Sequence, residues 1–114
     1  MSGNTNPDIK EVVPSKELEA RLSEYLVVDV REPHERVEIG FVPTSINIPL
    51  GGFVDGTSKL PASDKPVLVI CGGGNRSLKA AQLILASGEK RDLTNLWTGT
   101  RGWISDGFKV DHPQ

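Results

Sequence analysis

The fold is decided by one stretch in the second half of the chain, Val67-Leu68-Val69-Ile70-Cys71-Gly72-Gly73-Gly74-Asn75-Arg76-Ser77. Its first four residues are apolar, which is typical of a parallel strand buried on both faces. A helical pattern begins near Ser77, and its apolar stripe consists of Leu78, Ala81, Ile84 and Leu85. A strand, a glycine-rich loop and a helix N-terminus in this order predict an anion-binding cup. The loop amides and the positive end of the helix dipole both face its centre.

Cys71 is the first residue of this loop and the only cysteine in the sequence. A lone cysteine is commonly a small buried apolar residue. In this position, however, the same amides and helix dipole would stabilise the thiolate, so we interpret Cys71 as a nucleophile. A single cysteine also means that the molecule has neither an intrachain disulfide nor a resolving thiol.

Strands and helices alternate along the rest of the chain. We predict strands at 9–13, 25–30, 45–48, 67–70 and 93–97. We predict helices at 16–24 with Ser15 as N-cap, at 33–38, from near Ser77 with Gly88 as the C′ residue after its end, and within a loop at 98–106. The segment 51–60 is predicted as a loop with one helical turn. This alternation favours an α/β fold in which a parallel five-stranded sheet has helices on both faces. Ligands of such sheets bind at the carboxyl ends of strands, where Cys71 lies.

Composition narrows the class of protein. A chain of 114 residues with 37% hydrophobic and 25% charged residues is the size of one globular domain. We place a flexible tail at 1–8, the domain at 9–110 and a second tail at 111–114.

The net charge of −2 and the pI of about 5.6 argue against nucleic-acid binding. The sequence has no apolar run of membrane-spanning length and no apolar signal core, so we expect a cytoplasmic protein. His34 and His112 lack ligand spacing, and we expect no metal and no cofactor.

Several segments, taken in order, resemble the single-domain rhodaneses (thiosulfate sulfurtransferase-like proteins) over about 9–110. They are Val28-Asp29-Val30-Arg31-Glu32-Pro33, Gly40-Phe41-Val42-Pro43, Ile46-Asn47-Ile48-Pro49, the Cys71 loop, 96–103 and Gly107-Phe108-Lys109-Val110. The resemblance implies a rhodanese-like domain that moves sulfane sulfur through a persulfide on Cys71. The donor would be thiosulfate, mercaptopyruvate or a persulfide. Because no second cysteine exists, the acceptor would be an external thiol or cyanide, and the donor or acceptor could also be a protein.

The resemblance also assigns roles to individual residues. Cys71 would be the nucleophile, and the substrate and persulfide would be held by Gly72, Gly73, Gly74, Asn75, Arg76 and Ser77. Asp29 and Arg31 would support the loops by hydrogen bonding. The family often has an arginine where this chain has Gly72. That difference removes a positive charge that would attract small dianionic donors such as thiosulfate.

Some roles have two interpretations on sequence alone. Arg76 either steers anionic donors or ties the loop to nearby carboxylates. Ser77 either donates its hydroxyl to the Cys71 sulfur or caps the helix, and capping is the commoner role. Lys79 and Arg101 either line the mouth of the loop or are simply solvated.

Two other functions remain open. Cysteine phosphatases use a related cup, but by resemblance five residues separate their nucleophile from the arginine, whereas four separate Cys71 from Arg76. The same resemblance implies that the shorter loop fits a sulfur atom better than a phosphate. The other alternative is a rhodanese-like module that binds a partner without catalysis, and the presence of Cys71 weighs against it.

Overall fold

The computed structural model describes residues 4–114. Its strands are β1 Ile9–Val12, β2 Leu26–Asp29, β3 Ile46–Asn47, β4 Val67–Ile70 and β5 Leu93–Leu96. Its helices are α1 Lys16–Ala20, α2 Pro33–Ile39, α3 Leu50–Val54, α4 Asn75–Ala86 and α5 Gly99–Ser105, with a 3-10 turn at Leu22–Glu24. All strand pairs are parallel, and the order across the sheet is β1-β5-β4-β2-β3. The predicted α/β domain with a five-stranded parallel sheet is confirmed.

Helices cover both faces of the sheet. Residues of α3 and α4 pack on one face, against a cluster that includes Val28, Val67, Val69, Leu78 and Ile84. On the other face α1 and α5 pack against a second cluster, which includes Leu18, Val27, Leu68, Leu96 and Trp103. Strand β4 lies at the centre of the sheet and all its residues are buried. This double burial explains the unbroken apolar run before Cys71.

Most predicted elements differ from the structure by at least one residue at an end, and three of the differences follow from the local backbone. The helix predicted at 16–24 ends at Ala20, because Arg21 leaves the helical conformation (φ −109°, ψ 11°) and a 3-10 turn leads into β2. The helix predicted from Ser77 begins at Asn75, because Gly74 at φ +96° turns the chain before it. The strand predicted at 45–48 pairs with β2 only over Ile46–Asn47.

Helix α3 lies in a segment predicted as mainly loop. Gly51 and Gly52 disfavour a helix, but Leu50 and Phe53 pack against the core and stabilise it. Position 52 also has no room for a side chain, since a Cβ on Gly52 would lie 2.0 Å from Oγ of Ser58. Tertiary packing therefore overrides local propensity in this segment.

Both predicted tails make backbone contacts where they are described. Residues 1–3 of the predicted tail 1–8 lie outside the described part of the chain. The N–H of Ile9 donates to the carbonyl of Asn6 (3.2 Å). Asp111, in the predicted tail 111–114, exchanges two backbone hydrogen bonds with Phe41 (2.8 and 2.9 Å). Within residues 4–114, no helix combines the length and the apolar character that crossing a membrane would require.

A buried group of charges joins the carboxyl end of β2 to helix α2. Arg31 is 1% exposed and donates to the Asp29 carboxylate through Nε and Nη2, with a shortest distance of 2.7 Å. It also donates to the carbonyls of Gly40 (2.8 Å) and Glu35 (3.3 Å). Arg36 adds a second guanidinium on Asp29 at 3.1 Å. These contacts fix α2, which buries none of its own residues.

We expect Asp29→Ala to destabilise the fold strongly, because it leaves the buried Arg31 without its counter-charge. Removing one partner of a buried ion pair costs about 3–5 kcal/mol. Urea unfolding followed by circular dichroism measures the loss. Asp92→Ala is the matched control, since its pair with Lys10 is exposed and 3.8 Å long. If both variants unfold at the same urea concentration, the buried pair does not stabilise the fold as described.

Candidate active site

Cys71 lies directly after β4 and faces the N-terminus of α4. The residue is 1% exposed, and its sulfur accepts a hydrogen bond from the N–H of Gly74 at 2.9 Å. Gly74 can aim its amide in this way because it has φ +96°. A Cβ at Gly74 would lie 1.9 Å from the carbonyl oxygen of Trp97, so the position accepts only glycine.

The loop is held from its other side by the start of α5. The N–H of Thr100 donates to the carbonyl of Cys71 at 2.8 Å, and the N–H of Arg101 donates to the carbonyl of Gly72 at 3.1 Å. Gly99, at φ +65°, lies so close that a Cβ would stand 2.5 Å from the backbone of Gly72. The curvature of the loop is therefore fixed by backbone contacts.

The first turn of α4 completes the cup. N–H groups in the first turn of a helix have no partner within the helix, and they carry the positive end of its dipole. In α4 this turn is Asn75, Arg76 and Ser77. The cup therefore favours a negatively charged occupant next to the sulfur of Cys71.

Arg76 ties the loop to α2, which was one of its two predicted roles. Its Nη1 and Nη2 donate to the two carboxylate oxygens of Glu35, each at 2.8 Å. These hydrogen bonds lower the pKa of Glu35 to about 2 and raise the pKa of Arg76. Glu35 also accepts a hydrogen bond from the N–H of Glu32 at 2.8 Å. Part of the Arg76 charge is thus balanced inside the protein.

Two guanidinium groups flank Gly72. A Cβ at Gly72 would lie 3.2 Å from Nη2 of Arg76 and 3.9 Å from Nε of Arg101. Arg101 is exposed and belongs to α5, whereas Lys79 is exposed on α4. Positive charge is therefore present beside the position where the family often has an arginine.

Ser77 is an internal residue of α4, so the helix cap, one of its two possible roles, is excluded, and the hydrogen bond to the Cys71 sulfur is the role that the structure has. The N-cap is Gly74, three residues before Ser77. Ser77 is 0% exposed, and its Oγ lies 3.3 Å from the Cys71 sulfur. The hydroxyl also contacts Oδ1 of Asn95, at 2.5 Å.

Sequence reasoning missed Asn95 and its neighbour Glu11. The Nδ2 of Asn95 donates to the Glu11 carboxylate (3.0 and 3.2 Å) and to the carbonyl of Gly74 (3.2 Å). The two residues stand opposite each other on β1 and β5. The available signal was an asparagine inside a buried strand, because a buried amide requires partners.

Asp29 and Arg31 lie at the same edge of the sheet but bind each other and α2. In the part of the chain that the structure describes, no hydrogen bond joins either of them to the loop 71–77. Their connection to the loop runs through Glu35, whose carbonyl binds Arg31 and whose carboxylate binds Arg76. They support the site from a distance.

Comparisons with known proteins agree on one family. The family model for the rhodanese-like domain matches residues 15–106. A sulfurtransferase of Allochromatium vinosum is 30% identical over 90% of this chain and 95% of its own length. An HTH-type transcriptional regulator of Mycobacterium tuberculosis is 31% identical over 77% of this chain, which spans only 38% of the regulator. The crystal structure of a rhodanese-related protein from Thermoplasma volcanium is 31% identical and superposes with a TM-score of 0.77, covering 91% of this chain and 99% of the other. The chain therefore belongs to the rhodanese-like domain family.

Proposed function

We propose that this protein is a sulfurtransferase that carries sulfane sulfur as a persulfide on Cys71. The observation that carries the proposal is the hydrogen bond from the N–H of Gly74 to the Cys71 sulfur at 2.9 Å, inside a cup of backbone amides. In the first half-reaction the Cys71 sulfur is an anionic nucleophile, and in the second it carries an anionic outer sulfur. Both states need hydrogen-bond donors at fixed positions.

The reaction is a double displacement. The Cys71 thiolate attacks the outer sulfur of the donor. For thiosulfate, a sulfur–sulfur bond forms to Cys71 while the old one breaks, and sulfite leaves with the bonding electrons. An external thiolate then attacks the terminal sulfur of the Cys71 persulfide. The acceptor leaves as a persulfide and the Cys71 thiolate is regenerated.

The loop has a separate task in each half-reaction. Before transfer, the Gly74 amide stabilises the thiolate. After transfer, the negative charge lies one bond further out, where the first-turn amides of α4 can receive it. Because the contacts of Gly74 and Gly99 fix the loop backbone, these donors need no rearrangement as the charge moves.

Gly72 lacks the charge that would favour thiosulfate. The donor is therefore thiosulfate, mercaptopyruvate or a protein persulfide. With no second cysteine in the sequence, the acceptor is an external thiol or cyanide. The identity of the partners and the cytoplasmic location remain predictions. The expectation that neither nucleic acid nor a membrane is a partner is also a prediction.

A second candidate function is a binding module without catalysis. The similarity to part of a transcriptional regulator favours this candidate, because that regulator joins such a domain to further sequence. A cysteine phosphatase is less well supported, since Arg76 is paired with Glu35 and only four residues separate it from Cys71.

We expect incubation with thiosulfate, 3-mercaptopyruvate or a persulfidated cysteine desulfurase to add the mass of one sulfur atom to the protein. Intact-mass spectrometry measures the gain, and later addition of a thiol should remove it. Cys71→Ser is the control and should gain nothing. If no donor adds sulfur to the wild type, the binding module becomes the better function. Hydrolysis of an aryl phosphate that depends on Cys71 would instead favour the phosphatase.

We expect Gly72→Arg to raise kcat/KM for thiosulfate, because it adds a cation at the mouth of the loop. Exposed charge pairs contribute about 0.2–1 kcal/mol, so the increase should reach about fivefold at most. It should shrink as salt screens the charge. Steady-state assays at low and high ionic strength measure both effects. Gly72→Gln is the matched control for size without charge. An equal increase in the glutamine variant would refute the charge explanation.

A further inference from the structure

A chain of hydrogen bonds leads from the Cys71 sulfur through Ser77 and Asn95 to Glu11. The distances are 3.3 Å from Sγ to Oγ, 2.5 Å from Oγ to Oδ1, and 3.0 Å from Nδ2 to the Glu11 carboxylate. Cys71 is 1% exposed, and Ser77 and Asn95 are both 0% exposed. Since the first three residues are buried, their polar atoms depend on protein groups for hydrogen-bond partners.

The orientation of the Asn95 amide follows from its neighbours. A carboxylate and a carbonyl can only accept hydrogen bonds, so the amide nitrogen must face Glu11 and the carbonyl of Gly74. Its two hydrogens are then both in use. The oxygen Oδ1, which can only accept, is left facing the hydroxyl of Ser77.

Ser77 therefore stands between two acceptors with one proton to give. When Cys71 is a thiol, its S–H can donate to Oγ while the Ser77 O–H donates to Oδ1 of Asn95, and every group is satisfied. When Cys71 is a thiolate, its sulfur also needs a donor, and Ser77 can supply one only by turning its proton away from Asn95. Asn95 and the thiolate compete for the same proton.

Other groups near the sulfur do not decide this competition. Of the described groups, the Gly74 amide donates to the sulfur, and the charge of Arg76, which is paired with Glu35, interacts with Cys71. The exposed Arg101 approaches Gly72 rather than Ser77. None of these interactions depends on which way the Ser77 proton points.

We propose that Glu11 and Asn95 are positioning residues that set how readily Cys71 ionises, by deciding which way the single hydroxyl proton of Ser77 points. Glu11 holds the Asn95 amide in place and polarises it, so Oδ1 becomes a stronger acceptor. The pair thereby withholds from the thiolate a second hydrogen bond that would add to the one from the Gly74 amide. The proposal deepens the sulfur-transfer function proposed above, on which its role in catalysis rests.

The proton balance over the reaction is simple. On ionisation the thiol proton leaves to solvent water, and the Ser77 O–H rotates from Asn95 to the sulfur anion. When the persulfide forms, Sγ becomes a neutral bridging atom, so the O–H returns to Asn95 and the loop amides hold the terminal anion. Ser77 thus assists the sulfur only while it is the nucleophile.

The test is a coupling experiment on alkylation of Cys71 by iodoacetamide, followed as rate against pH. Neutralising Glu11 with Glu11→Gln weakens the hold on Asn95 and frees the Ser77 proton. The variant lets Ser77 give the thiolate one more neutral hydrogen bond. We therefore expect alkylation at neutral pH to become about two- to tenfold faster. The pH profile should move to lower pH. In a Ser77→Ala background the same Glu11→Gln change should have no effect.

Three controls separate this proposal from simpler explanations. A direct effect of the Glu11 charge on the sulfur would persist in the Ser77→Ala background and fade at high salt, and either result would overturn the proposal. An unchanged rate in Glu11→Gln would also overturn it. Glu17→Gln, on the exposed side of α1, is the matched control for losing one carboxylate and should leave the profile unchanged. Alkylation requires no sulfur donor, so the test stands even if the persulfide experiment fails.

Discussion

The site depends on a contact between two pieces of backbone. The N–H groups of Thr100 and Arg101 donate to the carbonyls of Cys71 and Gly72, which joins the loop after β4 to the first turn of α5. The pieces approach so closely that Gly99 has no room for a Cβ. Because side chains contribute nothing to this contact, it constrains the shape of the loop directly. Donors fixed in this way can stabilise an anion without the energetic cost of reorganisation.

Charged side chains hold helix α2 beside the loop, at the same edge of the sheet. Helix α2 buries no residue, yet Arg31 binds its backbone and Arg76 binds its Glu35 carboxylate. The pKa of Glu35 falls from 4.5 to about 2, so the bond to Arg76 favours the ionised form. Its contribution to stability is complete above the ordinary pKa and is lost as pH falls through about 2. The link between α2 and the loop is therefore ionic, whereas the link to α5 is not.

The sequence predicted features that depend on local pattern. The apolar run before Cys71 and the glycines after it identified the central strand, the loop and their place in a parallel sheet. What it could not predict depends on contacts between distant residues. The Gly74 conformation, set against Trp97, moved the start of α4 to Asn75 and placed Ser77 inside the helix. Asn95 reaches Ser77 and Glu11 across 18 and 84 positions, and no periodicity reports such contacts.

The burial of Cys71 bears on how such a carrier would work. A thiol that is 1% exposed is protected from bulky reagents, yet both half-reactions require contact with another molecule. A persulfide would resolve part of this conflict, since its terminal sulfur would lie one bond further from Cys71 than the thiol sulfur does. The acceptor then needs to reach only that outer atom. In the proposed first half-reaction the donor would instead present a narrow terminal sulfur to the buried thiolate, and a branched group such as phosphate would fit less well. Under the proposed function, burial and the short loop would thus favour the same occupant, a single sulfur atom.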